Sequence, residues 1–393
     1  MIKRTLQELC LNITDGKHGD CENEENSGYY FISCKDIFDG QINYKNARQI
    51  TKADFEETHK RTMLEVDDIL LTNSGTIGRM AFVTDREATT KTTFQKSVAI
   101  IKPDKQKVLP RYLYYQLQNC VPQFINSSNG SAQKNLLLST MRTFQIEIEE
   151  NCEKQEKIAN TLSAYDDLIE NNQKQIKLLE EAAQRLYKEW FVDLRFPGHE
   201  NTKIVDGVPE GWNEKTLSQV ANVIMGQSPK SEFYNSEKKG LPFHQGVGSY
   251  GVRFVIDDIY STSYTRIAEP NSILFSVRAP VGRLNITKNK VVIGRGLAAI
   301  NQTDGCQSYL YYLLKNKFFK DNIVGNGAIF ASVSKDELLN QKFLIPERNL
   351  MMQFEKIVSQ MDKQIENLDS KNKKLIEARD RLLPKLMSGE VEA

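Results

Sequence analysis

A single internal repeat constrains this chain more than any other feature. Sliding the sequence against itself at an offset near 200 sets residues 166–186 (DDLIENNQKQIKLLEEAAQRL) against residues 362–382 (DKQIENLDSKNKKLIEARDRL), with 10 identities in 21 positions. Chance alone gives about one or two. Upstream the register drifts by a few residues but persists. Ile69-Leu70 with Gly78-Arg79 matches Ile273-Leu274 with Gly282-Arg283, and Tyr112-Leu113-Tyr114-Tyr115 matches Tyr309-Leu310-Tyr311-Tyr312. Asn129-Gly130 matches Asn326-Gly327, and Thr5-Leu6 echoes Thr216-Leu217 just after a Pro- and Gly-punctuated stretch at 196–212. The chain therefore reads as a tandem duplication of a globular part followed by a helical part.

The helical parts carry narrow apolar stripes. Ile158, Leu162, Tyr165, Ile169, Asn172, Ile176, Leu179, Ala183, Leu186 and Trp190 step by four and three. That is a heptad seam rather than a broad globular face. The second copy steps through Phe354, Val358, Met361, Ile365, Leu368, Asn372, Leu375, Arg379, Leu382 and Leu386. Two such seams bury each other best as an antiparallel pair, which requires facing residue numbers to share a constant sum. A sum of 544 faces Leu162 with Leu382, Ile169 with Leu375, Leu179 with Ile365 and Trp190 with Phe354, and sets the two polar intruders, Asn172 and Asn372, opposite one another. A buried Asn pair is a register device. The expected architecture is α+β: two mixed globular domains separated by two long helices that form an antiparallel coiled coil. The domains are 1–150 and 197–345, and the helices 151–196 and 346–393.

In the globular parts, 66–72 and 273–277 read as strands, each followed by a Gly-containing turn and a second strand at 79–83 or 283–287. Residues 110–119 and 308–315 read as helices, and Ser334 with Glu337 resembles a capping box.

Composition excludes several classes. Hydrophobic residues make up 40% and charged residues 26%, so the chain should fold. No run approaches the roughly 18 apolar residues of a membrane span, and the start, MIKRTLQELC, turns polar before a signal core forms, which together suggest a cytoplasmic protein. The six cysteines include no C-x-x-C pair and the four histidines have no ligand-like spacing, which argues against a metal site and against disulfides. Phosphate-binding and metalloprotease motifs are missing too, so no catalytic chemistry is visible.

With 52 Lys+Arg against 51 Asp+Glu, any electropositive face must be local. Residues 197–345 hold 17 basic and 13 acidic residues, whereas 1–150 hold 19 and 20. Within 270–303 there is no acid, but Arg278, Arg283, Lys288, Lys290 and Arg295 stand among glycines and small polar groups, a plausible phosphate-tracking surface. Residues 88–103 likewise carry Lys91, Lys96 and Lys102 without an acid, and Arg79 ends the turn SGTIGR. From these residues alone a tight hairpin with solvated cations is an equal reading. The loops NGSAQK at 129–134 and NGA at 326–328 could approach phosphates, although ordinary turns are the better reading.

Taken together, the long-helix sequences IENNQKQIKLLEEAAQRLYKEWF and IENLDSKNKKLIEARDRLLPKLMSGE, the SGTIGR turn and the NGSAQKNL loop resemble the specificity subunits of type I restriction-modification systems over nearly the whole chain. The resemblance implies a non-catalytic DNA-binding subunit with two target-recognition domains that read the halves of a split double-stranded DNA target. It also implies docking of modification (methyltransferase) subunits and restriction subunits. S-adenosylmethionine, ATP and Mg are expected on those partners and no cofactor on this chain. Charge, turn position and the family's motif together select Ser74, Thr76, Arg79, Lys91, Gln95 and Lys134 in the first domain, and Arg278, Arg283, Lys288, Lys290 and Arg295 in the second. One departure matters: SGTIGR becomes VRAPVGR in the second copy, and Pro280 implies a differently shaped approach to DNA. The rival readings are a coiled-coil scaffold whose domains recognise protein or carbohydrate, and a nuclease-methyltransferase component without its catalytic part.

Overall fold

The computed structural model describes residues 1–128, 135–318 and 332–393. The chain forms two compact units, one made of residues 1–172 with 371–393 and the other of residues 173–370. The division passes through both long helices, Cys152–Phe191 and Arg348–Ser388, so neither helix is a separate body.

In the first unit, a four-stranded antiparallel sheet runs in the order Cys10–Asp15, Val98–Pro103, Ile69–Thr72, Met80–Phe82. Its central strands are apolar on both faces because two layers cover them. One face packs on the helix Pro110–Asn119 and on Ile158, Leu162, Leu383 and Leu386 of the long helices. The other face packs on Ile32 and Phe94, from a smaller sheet in which Tyr30–Ile32 runs parallel to Thr92–Phe94, and on Ile37, from a two-stranded ladder with Gln41–Ile42.

The second unit repeats this plan. Its four-stranded sheet runs Ala221–Met225, Leu297–Gln302, Ile273–Ser276, Leu284–Ile286, and Leu241–His244 runs parallel to Val291–Ile293 in the smaller sheet. A two-stranded ladder closes each unit, Ile2–Thr5 with Gln145–Ile148 and Asn213–Thr216 with Lys342–Ile345. The Thr-Leu echo has a structural cause. Thr5 and Thr216 each begin a tight turn closed by the side chain three residues on, Glu8 accepting from Thr5 N at 2.6 Å and Gln219 from Thr216 N at 2.8 Å. Ser334 and Glu337 form the expected capping box.

The strand read at 66–72 starts only at Ile69, because Asp67 adopts a left-handed φ of 77° and Asp68 accepts from Glu65 N. The helix read at 308–315 is longer, Gln307–Phe318.

Within each unit the long helices pair with opposite direction. In the first unit, Asn172 Nδ2 donates to Asn372 Oδ1 at 2.7 Å, Asn372 Nδ2 reaches Ile169 O at 3.4 Å, and Arg379 bonds Asp166. In the second, Trp190 meets Phe354 with ring centroids 6.0 Å apart. Asn172 with Asn372, and Trp190 with Phe354, both satisfy the sum of 544.

Candidate nucleic-acid interface

Each four-stranded sheet ends in a hairpin turn closed by one hydroxyl. In the first unit, Thr72 Oγ1 donates to Thr76 O and accepts from Arg79 N at 3.0 Å, while Gly78 N bonds Thr72 O at 3.0 Å. In the second, Ser276 Oγ donates to Pro280 O at 2.6 Å and accepts from Arg283 N at 2.8 Å, while Gly282 N bonds Ser276 O at 3.0 Å. Gly78 and Gly282 take left-handed φ values of 94° and 86°. A Cβ at Gly78 would lie 2.5 Å from Val121 Cγ1, and one at Gly282 3.1 Å from Phe318 Cβ, so glycine is favoured by conformation at both positions and by space most strongly at Gly78. The change from SGTIGR to VRAPVGR predicts a different approach to DNA, and Ala279-Pro280 is cis in the second turn. The structure shows the same bonds closing both, because a strand-end hydroxyl, rather than the turn sequence, ties the ends together.

Two further segments meet each turn. Asn73 N bonds Ser97 O at 3.1 Å and Leu136 N bonds Asn73 O at 2.8 Å; Val277 N bonds Gly296 O at 3.0 Å and Val333 N bonds Val277 O at 2.8 Å. Lys17 N and Gln227 N bond the ends of the parallel strands at Phe94 O and Ile293 O, 2.8 and 2.9 Å. Each unit thus gathers a turn, a loop and a strand end into one rim, on backbone bonds that leave the intervening side chains to vary.

In the first unit Thr76 and Arg79 stand exposed on the turn with half-buried Ser74, and half-buried Gln95 lies in the adjoining loop beside Lys17. Lys91 is set apart from Gln95 by the strand Thr92–Phe94 and pairs with Glu87 at 2.6 Å. Lys134 and the loops at 129–134 and 326–328 lie outside the described residues.

In the second unit exposed Arg278 and Arg295 line one cleft with Met225, Val277, Ser332 and Glu337, and Arg283 is exposed where the turn ends. Lys290 is exposed and pairs with Glu269 at 3.2 Å. Lys288 is corrected from a rim cation to a brace. Its ammonium bonds Asp369 Oδ2 at 2.7 Å and Ser370 Oγ at 2.9 Å on the second long helix, and stacks 4.5 Å from the Phe254 ring centre. The acid-free run 270–303 overstates its cationic surface at Lys288, because the carboxylate that neutralises this lysine is 81 residues away in sequence.

Sequence reading missed several rim residues. Ser228 Oγ accepts from Arg295 N at 3.2 Å and donates to Gln245 Oε1 at 2.8 Å. Lys17 is held by Asp54 at 2.9 Å and Glu57 at 3.2 Å, so acids already offset this cation of the first rim. A signal existed: Gly16-Lys17 and Gly226-Gln227 follow equivalent strands, and a Cβ at either glycine would lie within 1.9 or 2.1 Å of a facing carbonyl oxygen, Phe94 O or Gly294 O.

The described cysteines are free, and burial pushes the Cys10 and Cys120 thiols up to about 12 and Cys306 to about 11. Among the described residues no His/Cys/Asp/Glu group could hold a metal, and no helix is long and apolar enough to cross a membrane.

Residues 3–181 and 209–378 match the family model of the type I restriction modification DNA specificity domain, twice in tandem. The chain belongs to that family. It is similar to a sequence provisionally named the MjaX type I restriction enzyme specificity subunit of Methanocaldococcus jannaschii, 27% identical over 99% of this chain and 93% of the relative. The MjaIX specificity subunit of the same organism is 28% identical over 92% and 86%. Among solved structures, the type I restriction-modification S subunit from M. genitalium has the same fold, with a TM-score of 0.58, 18% identity and coverage of 98% and 95%. As a specificity subunit the chain is the non-catalytic, DNA-recognising member of its system and assembles with other restriction-modification subunits.

Proposed function

We propose that the two rims read the two halves of a split, asymmetric DNA target. In the first unit Ser74, Thr76, Arg79 and Gln95 face the duplex, with Lys91 and Lys134 as further DNA contacts. In the second, Arg278, Arg283 and Arg295 do so, flanked by Lys290. The observation that carries this reading is one backbone rim, closed by the same bonds in both units, with different side chains on it: Ser74 against Arg278, Thr76 against Pro280 and Gln95 against Gly294, with Lys96 and Arg295 as a shared cation. A shared scaffold sets register on phosphates, and unlike polar groups at base edges give unlike half-sites.

The paired helices form an antiparallel coiled coil that sets the spacer and docks the modification subunits, with restriction subunits completing a cytoplasmic complex. S-adenosylmethionine, ATP and Mg belong to those partners. Base-modification sequencing of host DNA with and without this gene tests the reading. A split adenine-methylated motif that vanishes on deletion supports it; a methylome unchanged by deletion, with modification subunits expressed, contradicts it and favours the scaffold.

A further inference from the structure

The first domain of each repeat places two tyrosines on the helix that covers the sheet, and an aspartate on the long helix that follows, and the two units neutralise that aspartate differently. In the first unit Tyr115 Oη donates to Asp166 Oδ2 at 2.6 Å, and Arg379 of the second long helix donates to Asp166 Oδ1 at 2.6 Å. The repeat sets Tyr114, Tyr115 and Asp166 against Tyr311, Tyr312 and Asp362, and sets Arg379 against Ala183. Ala183 is fully buried and carries no charge.

The missing cation comes from elsewhere. Arg253, only 3% exposed, extends from the loop between Leu241–His244 and Tyr260–Ser261. Its Nη2 donates to Asp362 Oδ1 at 2.5 Å, its Nη1 reaches Glu180 Oε1 at 3.5 Å and Tyr312 Oη at 3.4 Å, and its guanidinium lies 3.8 Å from the Tyr311 ring centre. Glu180 and Asp362 belong to the two different long helices. The same loop is tied to the sheet through Asn285 Nδ2 to Gly251 O at 2.9 Å, and Phe254 from this loop stacks under Lys288, itself bound to Asp369.

We propose that Arg253 is a positioning residue that keys the second recognition domain to the helix pair and so fixes which spacer length the complex accepts. This rests on the split-target reading above. A planar guanidinium stacked on one ring and bonded to carboxylates of both helices permits one orientation of its loop, whereas a cation carried by the helix itself, as Arg379 is, places no such constraint on a domain. The buried pair is thus retained for geometry rather than for stability.

The test moves the cation. Full-length Arg253→Ala/Ala183→Arg, co-expressed with its modification subunits, returns a cation to the Asp362 node but from the helix, copying the first unit. Methylated motifs are then read by base-modification sequencing, with thermal unfolding of the purified chain alongside. The expected result is a chain that still unfolds cooperatively, with discrimination between neighbouring spacer lengths falling about tenfold, the scale of a coupling between adjoining elements. If that chain does not fold, Arg253→Met/Glu180→Gln/Asp362→Asn removes the charges together and carries the same expectation. Arg253→Lys should discriminate between wild type and these variants. Retention of a single spacer length in a folded variant overturns the proposal. Absence of any split motif with the wild-type chain would instead overturn the split-target reading.

Discussion

The two units share a tyrosine–aspartate node but take its cation from different places, Arg379 on a long helix in the first and Arg253 on a recognition loop in the second. After duplication a buried carboxylate still needs a partner, and the source of that partner is free to move so long as the charge arrives. The price is specific to each unit. The first node is fastened helix to helix; the second also fastens a loop.

The largest expected effect comes from breaking that difference directly. Arg253→Ala removes a buried guanidinium with its stacking on Tyr311 and leaves Asp362 and Glu180, 22% and 19% exposed, without their cation, and should cost about 2–3 kcal/mol of unfolding free energy. Arg379 is more accessible, with 22% of its side chain exposed, so Arg379→Ala should cost no more than about 1–2 kcal/mol. Urea unfolding of both variants measures the gap, and equal losses would mean that the loop contact adds nothing to the node.

The hairpins predict likeness where the nodes predict contrast. Thr72→Val and Ser276→Ala each remove the hydroxyl that closes a turn and should each cost about 1–2 kcal/mol, because Arg79 N and Arg283 N lose their acceptor. A loss confined to one unit would show that the turns are held by different means. The smallest effects belong to the rim. Arg295→Ala should weaken DNA binding by the assembled complex and lower its log–log salt slope by about 1, whereas Lys288→Ala should leave the slope unchanged while lowering stability. A slope change at Lys288 would return it to the DNA surface.

Which parts of this were legible in the sequence follows from range. The long helices, the Asn172–Asn372 contact and the Ser334–Glu337 capping box are written in spacing, since a 3.5-residue seam and a three-residue cap are local or periodic signals. The turns at Gly78 and Gly282 were visible as a repeat, but their common closure by Thr72 and Ser276 was hidden by unlike turn sequences. Least legible were the long-range ion pairs. Arg253 lies 109 residues from Asp362 and Lys288 lies 81 from Asp369, and a charge in a sequence carries no mark of its partner. For the same reason Lys288 read as a rim cation, and the rim residues Ser228 and Gln245, which bond each other and backbone, gave no charge signal at all.

The most direct test of the account is to damage one rim and read the whole target. With the modification subunits present, base-modification sequencing of a host carrying Arg278→Ala/Arg295→Ala should show a split methylated motif with degenerate bases in one half and the other half unchanged. Degeneracy spread over both halves, or a motif identical to that of the wild type, would contradict the assignment of one half-site to each unit.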